Sequence, residues 1–390
     1  MAARPLLLLD PHNYANPDVP NLGLAYAATH WQAPVIDQHI RPEPLDRVLE
    51  MEAETLGISV RSVGLREAKR LREAYQQRYP QAQIKSVHSC LSVQCCYPFG
   101  DFEDKLEFSA EFGDNLPFPD FDLFDSLEAM KEKWASGEWR YCLMTSHGCP
   151  FSCTYCAARE TRWRRRSAEN SVAELKQAKE RWGIRAFQVI DDCFNASLKH
   201  ALDFCEQVAP LGLPWQCANG LRADRFTEEL AVALKRSGCQ TLTFGVESAD
   251  PNVLESIKKG ETQEQIAEAI AIAKRHFGAV AGFFILGLPG SSYRTDLNSI
   301  RFALRQGIAA HFSYYVPDIS GEMPQVPFYG EGALPQSSAY PAHLQQRLYD
   351  LTAHWRPGGQ AHRGQFLKLL WIADRGQLVT RALRRLRGTR

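Results

Sequence analysis

Tyr141-Cys-Leu-Met-Thr-Ser-His-Gly-Cys149-Pro-Phe-Ser-Cys153-Thr-Tyr-Cys156 is an apolar, strand-like run that empties into a loop bearing three thiols, with three and then two residues between them. Three soft thiolates on one short loop suit an iron–sulfur cluster, which holds iron through cysteine and can be completed by a ligand that is not protein. No fourth cysteine lies nearby in sequence, so a cubane held at Cys149, Cys153 and Cys156 keeps one iron open. Chance clustering, or a zinc site completed by His147, is the other reading of the same residues.

Outward from this loop the chain alternates strand and helix with unusual regularity. Strands are expected at Tyr141–Ser146, Arg185–Ile190, Pro214–Ala218, Gln240–Val246, Ala279–Leu286 and Ala310–Val316, with helical patterns between them. Ser171-Val-Ala-Glu174 and Thr262-Gln-Glu-Gln265 read as capping boxes at helix starts. Six β/α units are too few for a closed eight-fold barrel and too evenly spaced for two nucleotide-binding halves, so the class is α/β with a partial (β/α)6 TIM-type barrel. In that fold the strand ends carrying the loops are where active sites lie. Upstream, alternating short strands and helices as far as Val93 predict a small Rossmann-like α/β domain of about four strands. The expected organisation is 1–105 for that domain, 106–138 for a linker that packs by its aromatics, 139–318 for the barrel and 319–390 for a helical C-terminal extension ending in an Arg-rich tail.

The composition is ordinary for a folded chain: 390 residues, 45% hydrophobic and 23% charged. Lys plus Arg and Asp plus Glu both total 45, so the chain as a whole has no electrostatic reason to seek nucleic acid or an anionic membrane. The longest apolar run, Ala279–Gly290, falls short of the ~20 residues that span a bilayer. With no signal-peptide pattern and 11 cysteines, a cytoplasmic protein with reduced thiols is expected.

The three-cysteine loop, with the aromatic Tyr155 before its last cysteine, resembles the signature of the radical S-adenosylmethionine (SAM) superfamily, and the resemblance runs over about 140–316. It implies a [4Fe–4S] cluster whose open iron chelates SAM, reductive cleavage of SAM to a 5′-deoxyadenosyl radical, a small-molecule substrate, and a flavodoxin- or ferredoxin-type reductase as electron donor. It also implies SAM contacts at the strand ends: Asp191 or Asp192 for the ammonium, Arg222 for the carboxylate, Glu247 and Ser248 for the ribose or methionine end, and the turn at Gly287, Pro289 and Gly290 for the adenine.

The linker Pro117-Phe-Pro-Asp-Phe-Asp122, the Asp191-Asp192 segment, the Gly245-Val-Glu-Ser248 run and the Leu286-Gly-Leu-Pro-Gly290 turn together are similar to the cobalamin-binding radical SAM subgroup. That resemblance implies methylation of an unactivated carbon with cobalamin held by the N-terminal domain. Asp10-Pro-His12 lacks the usual following glycine, and Val87-His88-Ser-Cys90 and Cys95-Cys96 stand where glycine-rich turns are usual. A degenerate domain that gates the barrel, a cobalamin-free radical SAM reaction, and a non-enzymatic metal-stabilised module are therefore the alternatives. Cys90, Cys95 and Cys96 read as linker thiols or as ligands of an extra cluster, and the Arg159–Arg166 run as a cluster-neutralising or docking segment or a solvated face.

Overall fold

The computed structural model describes residues 4–12, 20–42, 44–60, 65–89, 102, 104–108, 110–315 and 341–353. The N-terminal part comprises β1 (Arg4–Asp10), α1 (Leu22–Trp31), β2 (Val35–Asp37), α2 (Leu45–Leu49), β3 (Ala53–Ile58), α3 (Leu65–Arg78), β4 (Gln83–Ser89) and β5 (Lys105–Phe108). Its strands are all parallel, in the order β2-β1-β3-β4-β5. The leucine run of β1 is buried on both faces, as in a parallel sheet covered by helices: Leu8 joins the core containing α1, and Leu7 and Leu9 the core containing α3. The sheet has five strands where about four were expected. The extra one, β5, is a short edge strand whose Lys-Leu-Glu-Phe sequence carries too little apolar pattern to be recognised, and it pairs with Ser86–Ser89.

The connecting segment is tied to both parts. Phe121 sits among Trp134, Tyr141 and Trp182, with ring centroids 5.3 to 6.0 Å away, so the linker packs by its aromatics as expected. Toward the N-terminal sheet, the Ser126 hydroxyl donates to Asp37 at 2.6 Å and the Asp37 N–H donates to Asp125 at 2.8 Å. After α4 (Leu127–Ser136) comes β6 (Tyr141–Leu143), followed by a short antiparallel pair, β7 (Ser146–His147) and β8 (Arg164–Arg165), that brackets the cysteine loop. Then follow α5 (Ala168–Trp182), β9 (Phe187–Val189), α6 (Leu198–Val208), β10 (Trp215–Cys217), α7 (Glu228–Arg236), β11 (Cys239–Glu247), α8 (Pro251–Ser256), α9 (Gln263–His276), β12 (Val280–Leu286), α10 (Tyr293–Gln306), β13 (Ala309–Tyr314) and α11 (Ala342–Ala353).

The second sheet is parallel, and each main strand lies beside the next in sequence, β6-β9-β10-β11-β12-β13. Winding always in one direction curls such a sheet into a barrel wall and collects every strand end, with the loop after it, on one rim. The Thr262–Gln265 capping box is present. The one expected at Ser171–Glu174 is not: α5 is capped one turn earlier by Ser167, which accepts from the Asn170 N–H at 3.1 Å. Ser171 and Glu174 are buried inside the helix. Cys90, Cys95, Cys96, the segment 316–340 and the Arg-rich tail lie outside the described residues.

Glu174 is paired with Arg166, and neither side chain is more than 1% exposed. Arg166 also reaches the Tyr26 hydroxyl of α1 at 3.4 Å, while Tyr141 of β6 donates to Glu174 at 2.9 Å, so one ion pair joins the two sheets. Arg166→Met leaves Glu174 buried without its cation and is expected to cost about 3–5 kcal/mol in urea unfolding; a loss below about 1 kcal/mol would contradict this. Asp37 supplies a pH signature. Burial and the neighbouring Asp10 push its carboxyl up to about 7. Because the folded-state value is raised, its stabilising contribution is complete below about pH 4 and is lost as pH rises toward 7. Asp37→Asn, which can keep the same partners, is expected to flatten that decline in the urea midpoint; an unchanged slope would refute it.

Candidate active site

The cysteine loop is held by its backbone. Gly148, at φ 84°, has no room for a side chain, since a Cβ there would lie 2.5 Å from the Arg162 carbonyl oxygen. Its N–H donates to Asp192 at 2.7 Å, the Cys149 N–H donates to Thr161 O at 3.3 Å, and the Thr154 N–H donates to Ile257 O at 2.9 Å. The loop is thus fastened to the end of β9 and to the residue after α8. Cys153 is buried and Cys149 and Cys156 are half-buried. A hydrogen bond with Cys193, offset by burial and aided by the Phe151 N–H and Arg222, brings the Cys149 thiol down to about 7. Burial pushes the Cys153 and Cys156 thiols up. Among the described residues no three His, Cys, Asp or Glu side chains are grouped as ligands of one metal ion. In a cubane each thiolate takes a different iron, and three thiols on one loop with Arg222 and Lys259 beside Cys153 fit an anionic cluster.

The two acids after β9 have different surroundings. Asp191 is buried and accepts from the Thr145 N–H at 2.7 Å, the Thr145 hydroxyl at 2.6 Å and the Ser146 hydroxyl at 2.8 Å. Burial pushes it up to about 6, against those hydrogen bonds. Its oxygens are therefore occupied within the fold. Asp192 is half-exposed, with one oxygen on Gly148 N–H, and is the acid of the pair with room for a ligand.

Arg222 follows β10. Its Nε donates to Asp224 at 2.8 Å, its Nη2 donates to the Lys259 carbonyl at 3.0 Å, and its guanidinium stacks on Phe151 of the cysteine loop, 3.6 Å from the ring centroid. Two of the guanidinium nitrogens that could meet a ligand carboxylate, Nε and Nη2, thus also donate to the protein's own groups. Asp224 does not cap α7; Thr227 does. At the end of β11, Glu247 lies in the left-handed region at φ 62°, a position that costs a side-chain-bearing residue about 1–2 kcal/mol. Its carboxylate lies beside the Tyr155 hydroxyl and faces Lys259 Nζ at 3.4 Å. It also folds over Gly245, where a Cβ would meet Glu247 Oε1 at 2.8 Å. Ser248, by contrast, is buried and turned to Ser299 at 3.4 Å and to the Asp250 N–H at 3.1 Å. The turn after β12 is strapped down: the Gly287 N–H donates to Asp296 at 2.8 Å, the Ser256 hydroxyl donates to the Pro289 carbonyl at 2.7 Å, and Gly290 packs on Ser256.

The structure therefore brings Tyr155 to Glu247 and Arg222 to the cysteine loop. Four participants carried no individual sequence signal. Cys193 is adjacent in space to Cys149 although remote in sequence. Asn195 bridges to the Arg222 backbone, donating at 2.8 Å and accepting at 3.0 Å. Glu261 and Lys259 belong to a buried ion network. Lys259 stands in the string Lys258-Lys259-Gly260, where nothing in the sequence tells which lysine turns inward.

Residues 143–303 match the family model of the radical SAM superfamily. It is 34% identical over 208 residues to an uncharacterised methyltransferase of Pyrococcus horikoshii, covering 52% of this chain and 44% of that one. It is 28% identical over 258 residues to the cytidylyl-2-hydroxyethylphosphonate methyltransferase of Streptomyces wedmorensis, covering 62% and 48%. The chain thus spans about half the length of these curated relatives. In fold it is similar to the radical SAM methyltransferase TsrM of Kitasatospora setae with cobalamin and a [4Fe–4S] cluster bound, at a TM-score of 0.62, 16% identity, and coverage of 80% and 75%. It is similar also to the cobalamin-dependent SAM radical enzyme OxsB, at 0.58, 17%, and coverage of 77% and 52%.

The two acids after β9 can be separated experimentally. Asp191→Asn can keep its oxygen on the Thr145 N–H but forces both the Thr145 and Ser146 hydroxyls, which now donate to one carboxylate oxygen, to reverse, and is expected to cost about 1–3 kcal/mol of stability. Asp192→Asn keeps an oxygen for Gly148 and is expected to stay within about 1 kcal/mol of the parent. Equal losses in urea unfolding would contradict the assignment.

Proposed function

We propose that the chain is a radical SAM enzyme that methylates a small substrate with the help of cobalamin. The observation that carries the reading is the three-thiol loop on the rim of a (β/α)6 sheet, preceded by a parallel sheet of order 2-1-3-4-5. That order places a crevice outside the carboxyl ends of β1 and β3, where open α/β sheets bind their ligands. Asn21, the cap of α1, bridges those two ends by donating to Asp10 at 3.1 Å and to Ser59 at 2.8 Å. Residues 13–19, 61–64 and 90–101, which follow β1, β3 and β4 in sequence, are outside the described residues, and the cobalamin reading is supported by sheet order and by the neighbours named above.

When bound, the cluster supplies the electron that cleaves the SAM sulfonium, and cobalamin carries the methyl group. Cys149, Cys153 and Cys156 hold the cluster. Asp192 receives the SAM ammonium, and Glu247, fixed beside Tyr155, faces the ribose or methionine end. Gly287, Pro289 and Gly290 form the adenine turn. Arg222, stacked on Phe151 of the cysteine loop, receives the SAM carboxylate. A reductant is required; a flavodoxin- or ferredoxin-type donor suits the basic segment containing the exposed Arg162 and Arg165. Among the described residues no helix is long and apolar enough to cross a membrane.

Anaerobic purification and reconstitution tests the reading. The protein is expected to bind about four iron per chain, to lose them on Cys149→Ser, Cys153→Ser or Cys156→Ser, and to convert SAM to 5′-deoxyadenosine under reduction. A retained cobalamin absorbance supports methylation; an active enzyme that binds no cobalamin would redirect the reading to a cobalamin-free radical reaction. A protein that takes up no cluster would refute it.

A further inference from the structure

Five charged side chains meet between the cysteine loop and the ends of β10 and β11. Lys259 Nζ lies 3.4 Å from Glu247 and 3.2 Å from Glu261. Glu261 in turn accepts from the backbone N–H groups of Ala223 at 2.5 Å and Asp224 at 3.1 Å, and stands 4.0 Å from Arg222 Nε. Arg222 closes the circuit through Asp224 and through the Lys259 carbonyl. Lys259, Glu261, Arg222 and Glu247 are all less than 9% exposed.

As a stability device this arrangement is poor. Buried ion networks are often no more stable than apolar side chains of the same volume. The backbone is also bent to make it. Lys258 is left-handed at φ 52° and exposed, Gly260 is left-handed at φ 69°, and between them Lys259 turns inward; its partner Glu247 is left-handed too. Two side-chain-bearing residues in this region, next to one ion pair, are the kind of outlier that marks a functional position held by its surroundings. The neighbours show what is held. Glu247 lies beside the Tyr155 hydroxyl, Arg222 lies on the Phe151 ring, and both aromatics belong to the cysteine loop.

We infer that Lys259 is a positioning residue: its ammonium, steadied by Glu261, fixes the Glu247 carboxylate over Gly245 in the orientation that receives SAM. The inference rests on the radical SAM reading and adds to it a residue that acts only through Glu247. Arg222 and Glu261 set the position of Lys259 through its own carbonyl and its ammonium, which ties the Glu247 orientation to the seating of the cysteine loop.

The test is a double-mutant cycle on the full chain carrying its reconstituted cluster, read by the SAM dissociation constant from equilibrium dialysis and by the change in the reduced cluster's electron paramagnetic resonance spectrum on adding SAM. Glu247→Gln and Lys259→Met are each expected to weaken SAM binding at least about tenfold with iron content unchanged. Lys259→Met placed in the Glu247→Gln background is expected to add less than about twofold. Lys259→Arg, which keeps the charge, should recover part of the affinity lost in Lys259→Met. If the single Lys259→Met variant does not fold, the Glu247→Gln chain and the double variant, in which both members of the pair are neutral, decide the matter by the same comparison. A full additional loss in the double variant, or wild-type affinity in Lys259→Met, overturns the inference while leaving the radical SAM reading in place. A parent protein that holds a cluster and binds no SAM removes both.

Discussion

The cysteine loop has almost no regular structure of its own, and everything proposed for the site depends on how that loop is clamped to the strand ends. The central clamp is Arg222, whose guanidinium lies on Phe151 and is pinned by Asp224 and the Lys259 carbonyl. Asp192 holds the loop from β9 through Gly148, and Ile257 holds it from beyond α8 through Thr154. A thiol tripod must be presented in one geometry for a cluster to leave a corner open, and a loop without internal ladders obtains that geometry only from outside.

A second constraint joins the two sheets. The Arg166–Glu174 pair, with Tyr26 from α1 and Tyr141 from β6, sits in the aromatic seam formed by Phe121, Trp134 and Trp182. Polar groups so deeply buried demand specific partners, and here they come from both halves of the chain, which fixes how the N-terminal sheet meets the barrel wall. Relative placement of the two matters for any chemistry in which a group held by one acts on a substrate held by the other.

Much of this was legible in the residue string. Parallel strands buried on both faces announce themselves as apolar runs, and the helix Leu65–Arg78 shows itself through its period and Tyr293–Gln306 through period and caps. The cysteine spacing is a local pattern and needs no tertiary knowledge. What escaped was non-local or ambiguous. β5 is four residues of an edge strand, and Ser171 mimics a cap that Ser167 supplies. Asp191 and Asp192 are adjacent in sequence yet face different surroundings, because successive residues leaving a strand point opposite ways. The position of Arg222 after β10 is legible in sequence, whereas its stacking on Phe151 and its hydrogen bonds to Asp224 and the Lys259 carbonyl appear only in the packing. Cys193, Asn195 and Glu261 enter through contacts between elements, which no spacing rule reports.

The proposed centre is three thiolates sharing one cubane with a corner left to SAM. The most direct measurement is a Mössbauer spectrum of protein reconstituted with isotopically enriched iron, recorded with and without SAM. One iron of the four should separate from the other three when SAM is added. Four irons that remain indistinguishable with SAM present, or a protein that takes up a single metal ion in place of a cluster, would contradict it.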